Sequence, residues 1–263
     1  MRALSLSLVS VAAMVTAASA QPRPVAPKVV RACGVTALPL SVGNSWTYEP
    51  TAPPPDRALT DAQLRNTPLP PKKLVVTVTG VETKEGVTTV SLSEDLDGRV
   101  HPTTITCRAG GAEFRMSPTA FWFTAEPGTT YGIELSDVER KGHTLELNGG
   151  KVIALEWHDD LTAKWKHVAT GKAQPTLRSG TLELIRHFVV QPAETVAVKA
   201  GTWKALKIGI EITTKVTIEP APANPLKDLP LMVNFLYLAD GVGVVQALNS
   251  FGQLYVLTEY VVQ

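Results

Sequence analysis

Much of the chain alternates between apolar and polar positions with a period of two. Over residues 73–82, Leu74, Val76 and Val78 fall on one side while Val75, Thr77 and Thr79 fall on the other, and residues 86–94 repeat the theme with Val90 and Leu92. Successive side chains of an extended strand point to opposite faces, so this alternation predicts strands with one buried face. The short polar link at 83–85 joins the two as a hairpin. Residues 203–213 carry the clearest pattern: Leu206, Ile208, Ile210 and Ile212 share one face, and Lys207, Gly209, Glu211 and Thr213 share the other. Further strands are predicted at 103–108, 112–116, 131–139, 151–157, 163–170, 181–191, 194–199, 232–238, 243–248 and 253–262. Only 59–66 reads as helical, with Thr60 or Asp61 as its N-cap.

These elements predict an all-β protein, an antiparallel sheet forming an open or closed barrel or a sandwich, with minimal helix. Turn dipeptides such as Asp97-Gly98 and Asp240-Gly241 supply the positive φ that hairpins need. Proline cannot donate to a ladder, so the proline-rich stretches 50–71 and 219–231 are expected to be loops. The expected organisation is a leader at 1–20, a flexible arm at 21–32 and a single β-rich domain at 33–263.

Composition changes this picture mainly through the leader. Arg2 precedes an apolar run from Leu4 to Ala18, and Ala18-Ser19-Ala20 forms a small-residue cleavage site before Gln21. That is the pattern of a secretory signal, and it places the mature chain in the periplasm or outside the cell. With Arg2 removed, the remaining cations balance the 24 acidic residues. This neutrality points to neither nucleic acid nor an anionic membrane surface, and no membrane span is expected after the leader is removed. A membrane β-barrel fits poorly with an aromatic content of 6% and a C-terminal Gln263. Cys33 and Cys107 are the two cysteines, and in an oxidising compartment their default is one structural disulfide.

Candidate chemistry is sparse. G-x-S-x-G, H-E-x-x-H, P-loop and dinucleotide glycine patterns are absent from the sequence, so no catalytic residue is assigned and no cofactor or metal is expected. Glu156-Trp157-His158-Asp159-Asp160 reads either as a solvated turn, the simpler reading, or as a cation site in which His158 joins His143, His167 or His187. Glu94, Asp95 and Asp97 read as a hairpin turn, with calcium binding or paired carboxylates as alternatives. Arg186 interrupts the apolar face of Leu184 and Phe188, so it marks either a register irregularity, the preferred reading, or a charge lining a ligand cavity. Trp122, between Phe121 and Phe123, is either a core plug or an exposed stacking platform for a ligand.

Three segments resemble a loosely defined group of uncharacterised bacterial periplasmic or secreted β-proteins and lipoproteins: Pro39-Leu40-Ser41-Val42-Gly43-Asn44-Ser45-Trp46-Thr47-Tyr48, Val196 to Ile208 around Ala200-Gly201-Thr202-Trp203, and Tyr237 to Val245 around Asp240-Gly241-Val242-Gly243. Lys199 stands where that group usually has proline, and Asp240 departs in the same way. The resemblance implies an exported antiparallel β-fold with no established activity, and it carries over no functional residue. The expected function is a non-enzymatic exported protein that binds an apolar small molecule or an envelope-protein partner. The rival expectation is a secreted hydrolase using paired carboxylates or a metal centred on His158.

Overall fold

The computed structural model describes residues 32–53, 71–108, 114–116, 121, 133–142, 147–148, 151–152, 156–167, 178–220 and 232–263. The leader, most of the arm, the 59–66 helix, Trp122 and His143 lie outside these residues. The strands are β1 (Ser45–Thr51), β2 (Leu74–Lys84), β3 (Val87–Leu96), β4 (Arg99–Arg108), β5 (Phe114–Met116), β6 (Ile133–Gly142), β7 (Leu147–Asn148), β8 (Lys151–Val152), β9 (Glu156–His167), β10 (Ser179–Val198), β11 (Gly201–Val216), β12 (Met232–Ala239), β13 (Gly243–Leu248) and β14 (Leu254–Val261). All but β7 and β8 join one antiparallel sheet in the order β5-β4-β3-β2-β1-β14-β13-β12-β11-β10-β9-β6. The sheet does not close, which settles the open form of the predicted fold.

The topology is simple. From β1 the chain steps outward to β5, crosses to the far edge at β6, and steps back inward from β9 to β14, where its last strand pairs with its first. Alternation drives this as expected: on β3 every second residue is buried, and on β11 Ile208, Ile210, Ile212 and Thr214 form the inner row. The hairpin turns fall where two consecutive residues tolerate positive φ, at Glu85-Gly86 and Asp97-Gly98. The first of these lies slightly beyond the predicted 83–85 link because Gly86 supplies the needed backbone freedom.

Trp46 and Tyr48, both fully buried, anchor the seam between the first and last strands. β13 pairs with β14 only from Gln246 to Leu248, and where that ladder has no pairs the two aromatic side chains donate to backbone carbonyls at the start of β13 and just before it. Trp46 Nε1 bonds Val242 O, and Tyr48 Oη bonds Val244 O at 2.9 Å. Their rings fill the interior while their polar tips satisfy backbone acceptors. Gly243, at φ +110°, lies so close to the indole that a Cβ there would sit 3.0 Å from Trp46 Nε1. Cys33 and Cys107 form the expected disulfide, with Cα atoms 5.5 Å apart, and so tie the segment before β1 to β4.

Several expectations change. The strands predicted at 181–191 and 194–199 are one, β10, which passes a register shift between Gln191 and Glu194. Pro192 sits in that shift, where no ladder donor is required. Pro50 belongs to β1 rather than to a loop; it pairs with Tyr255 on the β14 side, past the point where β2 accompanies β1. Of the strand predicted at 151–157, residues 151–152 form β8 and residues 156–157 open β9, while 153–155 lie outside the described residues. At the outer edge, β6 shifts register between Ser136 and Glu139, with Asp137 at φ 50° and residues Ser136, Asp137, Val138 and Glu139 exposed. The opposite edge strand, β5, is three residues long.

Candidate functional site

Strands β9, β10 and β11 run side by side in unbroken register across the middle of β10, and this corrects two readings of the sequence. Glu156 to Asp160 is not a turn, because these residues open the 12-residue strand β9. Arg186 is not at a register irregularity, because β10 pairs continuously with β9 from Ser179 to Val189 and with β11 from Leu182 to Gln191. The apolar flanks that suggested a turn at 156–160 are instead the alternation of a strand that carries charge on both faces.

On the inner face, Arg186 lies directly opposite Asp159 and pairs with its carboxylate. The guanidinium is in the low-dielectric interior, 3% exposed, with its carbon 5.6 Å from the centre of the Phe188 ring. Desolvating a lone charge there would be prohibitive, so the opposing carboxylate is what makes the position tolerable. Among the described residues Arg186 Nε has no hydrogen-bond partner. Leu182, Leu184, Phe188 and Val190 share the row with Arg186; Leu184 is buried, and the other three are partly buried.

On the outer face, one residue along in each strand, His187 lies opposite both His158 of β9 and Glu211 of β11. The two imidazoles stack with ring centres 4.4 Å apart and planes 5° from parallel. Glu156, two residues before His158 and therefore on the same face, bonds His187 Nε2, while Glu211 Oε2 is 3.4 Å from His187 Nδ1. The donor atoms of Glu156, His158 and His187 all lie within 4.8 Å of one another. Of the partners foreseen for His158, the described residues bring His187 to it; His143 lies outside them. His167 is at the opposite end of β9, paired with Ile133. Asp160 joins neither cluster, and one of its buried carboxylate oxygens has no partner among the described residues.

The other acidic candidates do not converge. Glu94 is fully buried and accepts from Phe121 N and from Thr103 Oγ1. Asp95 accepts from Gly98 N, and Asp97 holds the backbone amides of Lys72 and Lys73. These are turn and core contacts, as the simpler reading had it. Glu94 also helps burial to hold the Tyr48 hydroxyl well above the ordinary tyrosine range. An open depression of about 850 Å³ beside β6 is lined by the surface ion pairs Asp137–Lys164 and Glu183–Lys215 and by the apolar side chains of Val138, Ala163 and Leu182. Sequence reasoning missed Asp159 as the partner of Arg186 and Glu211 as the partner of His187. Both follow from register alone, which no single-strand pattern contains.

No model of a known protein family matches the chain, and no curated protein is similar to it. Two solved structures are similar over most of its length. One, from Bacteroides fragilis, is described as an exported protein with a YmcC-like fold; it is 18% identical, with 84% of this chain and 96% of that one covered, at a TM-score of 0.41. The other, described as a lipoprotein from Parabacteroides distasonis, is 11% identical, with 86% and 99% covered, at a TM-score of 0.45.

Proposed function

We propose that this is an exported, non-enzymatic binding protein of the periplasm or extracellular space, and that it holds an amphipathic small molecule against the inner face of β10. Export is supported by the leader at 1–20 and by the Cys33–Cys107 disulfide, a crosslink that persists in oxidising compartments. The observation that carries the binding reading is Arg186, a guanidinium buried in an apolar row with its Nε donor unused among the described residues. Asp159 balances its charge. An acidic or hydroxylic head group would take up the spare donor, and an apolar tail would cover the partly buried Leu182, Phe188 and Val190.

The test is organic extraction and mass spectrometry of the processed protein purified without detergent. An amphipathic acid or alcohol is expected from the native chain. It should be depleted from Arg186→Lys, which keeps the charge but loses the planar fork, while circular dichroism remains unchanged. A clean extract from the native protein, or equal ligand content in the folded variant, overturns the reading.

A further inference from the structure

We infer that the outer face of the same three strands is a binding site for a divalent transition ion of the zinc class, with Glu156, His158 and His187 as ligands and Glu211 as a positioning residue. Two imidazoles and a carboxylate are the donor types that such ions take, whereas calcium and magnesium favour sites built from oxygen alone. The fold brings them together by register. His158 and His187 are a directly opposed cross-strand pair, and Glu156 follows at the next position on that face of β9. Directly opposed side chains begin about 5 Å apart, and alternate residues along a strand about 6.6 Å apart. Turning one imidazole out of the stack brings all three donors onto one ion.

Each ring nitrogen of His187 faces one carboxylate. Glu211 is on the Nδ1 side, where a carboxylate accepts the ring proton, fixes the tautomer and strengthens the opposite nitrogen as a donor. Nε2 faces Glu156. An ion bound at Nε2 takes the place of the contact between Nε2 and the Glu156 carboxylate and draws both groups as ligands, while Nδ1–H donates to Glu211. Three protein ligands leave a coordination position open to water or to an external donor. Glu156 and His158 are exposed, and His187 is partly so, which gives the ion a direct path from solvent.

This site is on the face opposite Arg186 and does not depend on the ligand proposed there. The experiment is calorimetric titration of the processed full chain with zinc chloride, repeated with cobalt chloride while the visible spectrum is recorded. One ion per chain is expected. His158→Ala, His187→Ala and Glu156→Gln should each weaken binding by about tenfold or more, and Glu211→Gln by roughly 10-fold with the cobalt bands shifted but retained. Histidine-to-glutamine variants provide a second set should either alanine variant prove unstable. Absence of saturable zinc binding, or unchanged affinity in a folded His158→Gln/His187→Gln double variant, overturns the site. Calcium binding that outcompetes zinc would overturn the assigned ion class.

Discussion

The two wings of the sheet bury their polar groups in opposite ways. Around the seam of β1, β13 and β14, the buried Glu94 carboxylate apart, polar side chains are uncharged and bond to backbone: Trp46 to Val242 O, Tyr48 to Val244 O, Asn44 to Pro39 O at 2.6 Å and to Gln263 N at 3.0 Å, and Asn234 to Ser250 N. Across the middle of β9, β10 and β11, charged side chains meet each other, with Arg186 to Asp159 inside and His187 to Glu156 and Glu211 outside. Bonds from neutral side chains to backbone consume donors and acceptors in fixing one shape. Charged pairs between side chains leave donors over and accept exchange, so the second wing is where a ligand can act.

The largest effect should follow from cutting the first wing. Trp46→Ala removes a fully buried indole and strands a backbone acceptor, and it should cost about 5 kcal/mol in urea unfolding. A loss below about 2 kcal/mol would mean that the seam is not the stability core. On the second wing, Arg186→Met alone leaves the Asp159 carboxylate without its guanidinium and should cost about 3 kcal/mol, whereas Arg186→Met with Asp159→Leu should recover most of that loss. If the double variant is as unstable as the single one, the pair is structural in the same sense as Trp46, and the contrast fails.

A smaller effect separates the wings by pH. Burial raises the Tyr48 and Tyr255 hydroxyls above their ordinary range, and both belong to the first wing. In the unfolded chain they ionise near about 10, while in the folded chain they stay protonated, so the unfolded state binds fewer protons above that point. Stability is therefore retained below about pH 10 and falls as pH rises further. Tyr255→Phe should flatten that decline in urea midpoints taken between about pH 9 and pH 11. An unchanged slope would remove the tyrosines as its cause.

Much of the strand pattern was legible from alternation, because burial on one face writes a period of two into the chain: Ile208, Ile210 and Ile212 predicted their own buried row. The disulfide was legible because two cysteines in an exported chain leave one pairing. Glu156 to Asp160 was misread because a strand with charges on both faces lacks an apolar row, and only its partner β10 makes it extended. Arg186 looked like a defect for the same reason. Its balancing charge lies 27 residues away on another strand, and side-chain alternation records the face but not the neighbour. His187 and Glu211 show the same limit, since cross-strand partnership depends on register and not on spacing within either strand.

An unclosed ribbon of twelve strands has two rims, and each exposed rim is a place where identical molecules in a crowded compartment could zip together into fibres. One rim here is only three residues long. The other is kinked at Ser136 to Glu139 and carries exposed acid and base, so an approaching straight strand would meet a bent backbone and surface charge before it met a row of free amides. The irregularity in β6 thus works against edge-to-edge self-association along that rim.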